Sequence, residues 1–332
     1  MSDNRTLLHA EQDGPLHWLA SRWGSFWFAP SDGINLAMCR ILFFLGLAIV
    51  YPTYVLSTWD MIYSPQWGDV PEYFNRGLPG PFSWLGLQHG DYETLFFLNR
   101  VFYFGLICCG VGFFTRTSTL IVFLLGFYLW GLPQCFGKIY HTTAIPVFMF
   151  AIFAASRCGD RVSVDALIRK KFGWDSLDHL KSEGTYTWPV RLAWATFALC
   201  FFGAGISKVT LGGWEWLVSD QMKWNCISHH YNEYHVAKWT LPIVCLPGFS
   251  LVSSVATIVF ELAGILILFN SKIRAFVVGN LVFMQFGIWL LMGVPFTLWL
   301  ISYVFFVPWD KLVWFFRRKL SSGTSHFKNS PS

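Results

Sequence analysis

The sequence predicts an all-α, polytopic transmembrane helical bundle with about eight spans and both termini in the cytoplasm. Of the 332 residues, 54% are apolar and only 13% are charged, whereas soluble domains are close to a quarter charged. The apolar residues also form long runs separated by short polar loops, and most runs approach the roughly 20 residues that a bilayer crossing requires. Because these runs use most of the chain, we expect one bundle and no large soluble domain.

The apolar runs divide the chain into three regions. Residues 1–33 form a cytoplasmic or interfacial segment, since their tryptophans and phenylalanines favour the headgroup level, and we see no cleavable signal peptide. Residues 34–315 form the transmembrane domain, and residues 316–332 form a basic cytoplasmic tail. The predicted spans cover approximately 34–56, 94–114, 119–133, 141–155, 188–208, 246–269, 275–292 and 294–309.

The distribution of basic residues predicts the orientation of the bundle. Cytoplasmic loops carry an excess of lysine and arginine. With a cytoplasmic amino terminus, the inner loops and the tail hold Arg116, the basic cluster at 157–181, Lys272 and Arg274. The outer loops hold few basic residues, namely Arg76, Lys138, Lys223 and Lys238. The net charge of +5 is therefore a topology signal, and we predict no nucleic-acid partner.

Lys208 is the first candidate functional residue, because it ends the fifth predicted span directly after Gly203, Ala204 and Gly205. Small residues let a neighbouring helix approach closely in lipid. We expect Trp214 and Trp216 to cover the lysine from the following loop. Apolar surroundings would favour the neutral amine and make Lys208 a base. Alternatively, the lysine snorkels, with its ammonium among the headgroups.

Two further ionisable residues lie in or beside the spans. His141 begins the fourth span at the same face as Lys208, where it either orients a phenol-like or quinol substrate or only caps the helix. Glu261 lies within the sixth span, and an intramembrane carboxylate marks a functional site by default. It equally suits a polar clamp to Asn280 or Gln285. Asp165, after the fourth span, suits a helix cap or a salt bridge.

The outer loop at 209–240 contains histidines and a cysteine that also bear on function. His229, His230 and His235 do not have the spacing of a tetrahedral zinc site, so we predict no metal. Cys135 and Cys226 are both expected at the outer face, where they could pair in an oxidising compartment.

Four sequence blocks, in order along the chain, resemble the HTTM (horizontally transferred transmembrane domain) family, which includes the vitamin K-dependent gamma-glutamyl carboxylases. The first block is Ile139-Tyr-His141 with Ser163-Val-Asp165, and the second is Gly203-Ala-Gly-Ile-Ser-Lys208 with Gly213-Trp214. The third is Phe260-Glu261, and the last is Phe305-Phe-Val-Pro-Trp309.

The resemblance implies a quinol-dependent oxygenase or a carboxylase-like lyase at the outer membrane face. Lys208 matches the lysine regarded as the base that deprotonates reduced vitamin K, and His141 matches a histidine near the quinol oxygens. The cofactor would be a reduced, vitamin K-like quinone, and the location a bacterial plasma membrane. We therefore predict catalytic roles for Lys208 and His141 and substrate-binding roles for Trp214, Trp216, Glu261 and Gln285.

The chain also departs from the family pattern. The carboxylase binds its protein substrate through a large extra-membrane region, and we expect no such region after the last predicted span here. Gln285 stands where many members have a histidine. A non-enzymatic alternative is a membrane factor for maturation, export or binding of a secreted peptide, with loops 57–92 and 209–240 as its docking surface. A transporter would need polar groups near the midplane, for which Glu261 is the only strong candidate.

Overall fold

The structure is a computed structural model that describes residues 15–54, 84, 92–132, 141–174, 184–232 and 238–326. All regular structure within these ranges is helical, as the sequence predicts. The α-helices are α1 Pro15–Phe28, α2 Ile34–Tyr54, α3 Tyr92–Val111, α4 Thr115–Gly131, α5 Ala144–Ala155, α6 Val164–Lys171, α7 Trp188–Ser207, α8 Gly213–Val218, α9 Gln221–Asn232, α10 Leu241–Val244, α11 Phe249–Ala263, α12 Ser271–Met292, α13 Thr297–Ser302 and α14 Trp309–His326. Other helical turns cover His141–Thr143, Lys208–Gly212, Lys238–Thr240, Gly264–Leu268 and Tyr303–Phe306.

Five helical segments within the described ranges are long and apolar enough to cross a membrane. They are Ile34–Pro52, Glu93–Val111, Trp188–Val218, Phe249–Leu268 and Ser271–Met292. A sixth crossing results if Thr297–Phe306 and Trp309–Lys319, which meet at a 70° bend, count as one span. Each predicted apolar run contains a helix, but α4 has 17 residues and α5 has 12, at or below the shortest usual crossing.

The boundary predicted between the transmembrane domain and the tail falls inside a helix. Helix α14 continues from Trp309 to His326, across residue 315. The 70° bend that precedes it follows Pro308, which cannot donate a backbone hydrogen bond. The terminal helix therefore changes direction where the last apolar run ends.

The centre of the bundle is an aromatic cluster built by α2, α5 and the turn at Tyr303–Phe306. The Phe43 ring lies 5.8 Å from that of Phe150 and 5.5 Å from that of Phe153, and Phe153 lies 5.3 Å from Phe305. All four side chains are fully buried. Such offset and edge-on ring pairs add stabilisation beyond apolar burial, so this cluster fixes the last helices against the first.

The helices form two groups that meet at α7. Helices α2, α3, α4 and α5 contact one another in chain order, whereas α9, α11 and α12 contact one another pairwise. Helix α7 contacts α5 in the first group and α11 in the second. Residues carried by α7 can therefore pair with residues of α11, which is the arrangement of the candidate site.

Side chains cap the helices at the end of the bundle that holds the turn between α3 and α4. Asp165 accepts hydrogen bonds from the backbone N–H groups of Phe114 and Thr115 and from the Thr115 hydroxyl, at 2.7–2.9 Å. The predicted capping role of Asp165 is confirmed, although it caps the start of α4 while Ser163 caps its own helix, α6. Buried Arg40 donates to the carbonyls of Cys109 and Val162, which ties α2 to the same region.

Candidate functional site

Lys208 lies inside a long helical segment rather than at its end. It follows directly on the 20 residues of α7, and the helical segment continues from Trp188 to Val218, 31 residues in all. The helix therefore does not end at residue 208, where the sequence predicts the end of the fifth span. The sequence after Lys208, with Gly212 and Gly213, resembles a turn, but the structure accommodates it as a π-helical turn at Lys208–Gly212 followed by α8.

The two glycines make this irregular continuation possible. Gly213 has φ 56° and ψ −153°, a region that is essentially restricted to glycine. A Cβ on Gly212 would lie 2.8 Å from the Cβ of Trp216, so only glycine leaves room for that side chain. Single π-turns inside α-helices occur frequently at functional sites, and this one begins at the candidate lysine.

The Lys208 ammonium forms an ion pair with Glu261 of α11. Its Nζ lies 2.8 Å from Oε1 and 2.7 Å from Oε2 of the carboxylate. The Glu261 side chain is 9% exposed and that of Lys208 is 26% exposed. The two charges therefore compensate each other within the span, and one edge of the pair stays accessible. Glu261 thus has a charged partner other than Asn280 or Gln285, the two that the clamp hypothesis proposed.

Of the two tryptophans predicted to cover Lys208, only Trp216 does so. Its ring centroid lies 5.7 Å from Lys208 Nζ, within the range of a cation–π contact. Trp214 is 74% exposed, so it does not cover the ion pair. The difference follows from the helix, because residues two apart lie on different faces.

The close approach of α7 and α11 involves one of the predicted small residues. A Cβ on Gly205 would lie 3.0 Å from atoms of Leu262, including its backbone nitrogen. A Cβ on Gly264, which directly follows α11, would lie 2.8 Å from the Cβ of Phe201 on α7. Gly203, in contrast, has nothing within 4 Å of a Cβ. Fewer of the predicted small residues therefore lie in the helix contact than the sequence suggests. Gly205 and Gly264 let the backbones of α7 and α11 approach each other next to the ion pair.

A second polar group lies where α9, α11 and α12 meet. Ser254 of α11 and Gln285 of α12 are 0% and 2% exposed, and their side-chain polar atoms have no hydrogen-bond partner among the described residues. Ser254 and Gln285 are each about 15 residues from the turn at Phe269 and Asn270 that joins the two helical segments, so they lie at similar distances from that turn along the helix axes. The buried Nδ1 atom of His229, on α9, also has no partner in the described part of the chain.

Such unpaired groups are costly, because a buried polar atom without a partner loses about 1–3 kcal/mol relative to a satisfied one. Most buried polar atoms in proteins are paired with protein or water. Gln285 therefore has hydrogen-bonding capacity that the described residues leave unused. Sequence reasoning identified Gln285 but missed Ser254, whose small side chain gives no signal within an apolar run.

The backbone of His141 lies in the turn at His141–Thr143, and its side chain is outside the described part of the structure. That turn contacts α13, and the α13 residue Trp299 packs on Phe201 of α7 with a ring separation of 5.2 Å. His141 and the second half of α7 therefore lie at one end of the bundle.

The opposite ends of the same helices also meet. The Phe305 ring packs on Phe153, and the Phe305 carbonyl accepts a hydrogen bond from Trp194 at 2.8 Å. Phe153 is near the end of α5 and Trp194 near the start of α7, so the two helices run antiparallel. The start of α5 and the end of α7 therefore lie towards the same end of the bundle.

His230 of α9 has two polar neighbours in this region. His230 contacts the Cys226 carbonyl and the Thr240 hydroxyl, each at 2.8 Å, and so joins α9 to the next turn. The described residues contain no cluster of three or more ligating side chains that could hold a metal, and His235 lies outside them. Cys226 is a buried free thiol, while Cys135 lies outside the described residues.

Comparison with known proteins found no matching family model, no matching curated protein and no matching solved structure.

Proposed function

We propose that this chain is an eight-span membrane protein related to the HTTM family that binds a lipid-soluble quinol at the Lys208–Glu261 pair. The observation that carries the proposal is a partly accessible ion pair between two helical segments that are long and apolar enough to cross a membrane. Ionisable residues in such segments are expensive and commonly serve function. The family resemblance implies quinol oxygenation with coupled carboxylation, and it matches Lys208 and His141 to residues of that chemistry.

The surroundings of the pair suit a ligand that arrives from lipid. Ile206, Val209 and Leu211, on either side of Lys208, are exposed apolar side chains, and such a surface faces acyl chains when a helix spans a bilayer. Lys208 interrupts this surface with its partly exposed side chain. A hydroxyl carried by an apolar ring would therefore reach the pair laterally without crossing the headgroup region.

The pair supplies complementary roles for a quinol hydroxyl. The Glu261 carboxylate oxygens lie 2.7 and 2.8 Å from the Lys208 ammonium, and in our proposal Glu261 accepts the hydroxyl proton. Lys208 stabilises the negative charge that develops on the oxygen, an effect that is strong where water is excluded. Lys208 thus acts through its charge, and the Trp216 ring packs beside it. His141 remains a proposed hydrogen-bond partner.

The unpaired groups on α11 and α12 support a ligand with a second polar atom. Ser254 and Glu261 are seven residues apart on α11, about 10 Å along the helix axis, and both are among its buried residues. Gln285 offers both donor and acceptor atoms. A quinol has two oxygens, so we propose that Gln285 and Ser254 face the end of the ligand away from Lys208.

A docking role for a secreted peptide is the second candidate function. The exposed aromatic residues of the predicted outer region favour it, since they form a surface suited to a partner or to headgroups. They are Trp214, Trp224, Tyr231 and Trp239. A transporter is less favoured, because Lys208 and Glu261 neutralise each other and leave no net charge for a coupling ion.

The test uses protein purified into nanodiscs, supplied with a reduced naphthoquinone under oxygen, with mass spectrometry to detect the epoxide. We expect product from the wild type, background from Lys208→Ala and from Glu261→Gln, and wild-type levels from Lys238→Ala. Lys238→Ala is a matched control, because it removes an exposed lysine from the same predicted face. Equal product from the wild type and Lys208→Ala would overturn the proposal.

A binding measurement, by thermal unfolding with and without the quinone, distinguishes quinol recognition from turnover. We expect the quinone to raise the thermal unfolding midpoint of the wild type but not of Gln285→Leu. Gln285→Leu itself should unfold at the same or a higher temperature without ligand, because it removes unpaired buried polar atoms. If the quinone stabilises neither protein while a peptide crosslinks to the outer aromatic residues, the docking function is correct instead.

A further inference from the structure

A polar cleft lies at the end of the bundle that holds the turn between α3 and α4. It has a volume of about 360 Å³ and is bounded by the start of α4 and by the segment that joins α5 to α6. Three arginines line it, namely Arg116, Arg157 and Arg169. In the predicted topology this end of the bundle faces the cytoplasm.

The two carboxylates of the cleft are already occupied. Asp165 accepts three hydrogen bonds at the start of α4. Asp160 accepts from Arg157 Nε at 2.7 Å and from the Tyr186 hydroxyl at 3.2 Å, with Arg169 at 3.7 Å. Three cations against two anions leave the lining with a positive balance.

The arginines retain donors that the described residues do not use. Arg116 is exposed and forms no ion pair in the described part of the chain. Arg157 uses Nε, which leaves the two terminal nitrogens of its guanidinium. Arg169 donates from one terminal nitrogen to the Gly159 carbonyl at 3.1 Å, while its buried Nε has no partner among the described residues. Planar guanidinium groups suit the oxygens of a phosphate.

The rim of the cleft is apolar and exposed. Phe113, Phe114 and Ile168 line the cleft and expose much of their side chains. Leu167 on α6 is also exposed, next to the basic residues that end this helix. Exposed aromatic and aliphatic side chains beside arginines are typical of segments that lie at a membrane surface. This combination distinguishes the cleft from a site for a freely soluble anion.

We propose that the cleft binds the phosphate group of an anionic phospholipid of the cytoplasmic leaflet. The phosphate receives donors from Arg116 and Arg157, and the unpaired Arg169 Nε faces the same bound group. The rim residues contact the glycerol and upper acyl region. Basic clusters at the cytoplasmic surface gain further from the negative surface potential of that leaflet. This proposal is independent of the quinol site.

The test compares lipids retained by the purified full chain in native mass spectrometry, with phosphatidylglycerol and phosphatidylcholine supplied in equal amounts. We expect the wild type to retain phosphatidylglycerol preferentially and Arg116→Gln to lose about tenfold in that preference, since one charge-assisted hydrogen bond is removed. The preference of Arg116→Lys should lie between those of the wild type and Arg116→Gln, because lysine keeps the positive charge but lacks the planar pair of N–H donors. Lys272→Gln, which removes an exposed cation from another cytoplasmic turn, should match the wild type.

Two results would overturn the proposal. Equal losses in Arg116→Gln and Lys272→Gln would mean that only general surface charge attracts the lipid. Competition by millimolar inorganic phosphate as effective as that by phosphatidylglycerol would make the ligand a soluble phosphate. Because the Arg116 side chain is exposed and has no ion pair or hydrogen bond among the described residues, circular dichroism should confirm that Arg116→Gln keeps its helical content.

Discussion

Replacement of the ion pair by apolar residues of similar size provides a detailed test of its energetics. Lys208→Met leaves the Glu261 carboxylate, whose side chain is 9% exposed, without its cation. Removal of one partner of a buried pair costs about 3–5 kcal/mol. Glu261→Leu leaves an ammonium whose side chain is 26% exposed, and partial solvation of that charge reduces the expected cost to about 1–3 kcal/mol.

The double variant should be far more stable than the two single costs suggest. Apolar residues of similar volume commonly replace a buried pair at no cost, so we expect Lys208→Met/Glu261→Leu within about 1 kcal/mol of the wild type. The coupling free energy between the two positions is then about 3 kcal/mol or more, at the upper end of values for contacting residues.

The measurement is the free energy of unfolding, from circular dichroism during titration with sodium dodecyl sulfate, for the four proteins of the cycle. Lys238→Met is the control, and it should change the free energy of unfolding by no more than about 0.5 kcal/mol. If the two single costs add in the double variant, Lys208 and Glu261 do not form the observed pair, and the reasoning about the site is refuted.

Three further predictions concern residues around the site and at the opposite end. Gly213→Ala should lower the free energy of unfolding by about 1–3 kcal/mol, because alanine is strained at this backbone conformation, while Gly203→Ala, where a Cβ meets nothing within 4 Å, should not. Asp165→Ala removes three hydrogen bonds at the start of α4 and should cost about 1–2 kcal/mol, with Asp165→Asn intermediate; equal stability of all three proteins would contradict the cap. Burial, reinforced by the Asp160 carboxylate, raises the pKa of Tyr186 to about 12, so its stabilising contribution is complete below pH 10 and disappears as the pH rises through 12; the stability of the wild type should fall more steeply than that of Tyr186→Phe across that interval in pH-dependent unfolding.

Much of the fold follows from composition and from the lengths of the apolar runs. Every predicted span contains a helix, because backbone groups in a lipid-facing segment have to satisfy one another. The bounds are less predictable where glycines occur. Gly212 and Gly213 indicate a turn in sequence, but a π-turn and one unusual glycine conformation continue the helix to Val218.

The candidate site was only partly predictable, for a related reason. Lys208 and Glu261 each stand out as ionisable residues in apolar runs, but they are 53 positions apart, and their contact depends on the close packing of Gly205 against Leu262. Only the packed bundle shows that they neutralise each other. The sequence also gives no sign that the Ser254 hydroxyl lacks a partner among the described residues, because a serine in a membrane helix normally bonds to its own backbone.

The most direct test of the central proposal uses the double variant Lys208→Met/Glu261→Leu in the naphthoquinol assay. We predict a protein that unfolds like the wild type yet forms no epoxide above background, because the charges that handle the quinol hydroxyl are absent while the packing remains. Epoxide at the wild-type rate from this variant would show that the ion pair only holds α7 against α11, and it would contradict the proposed function.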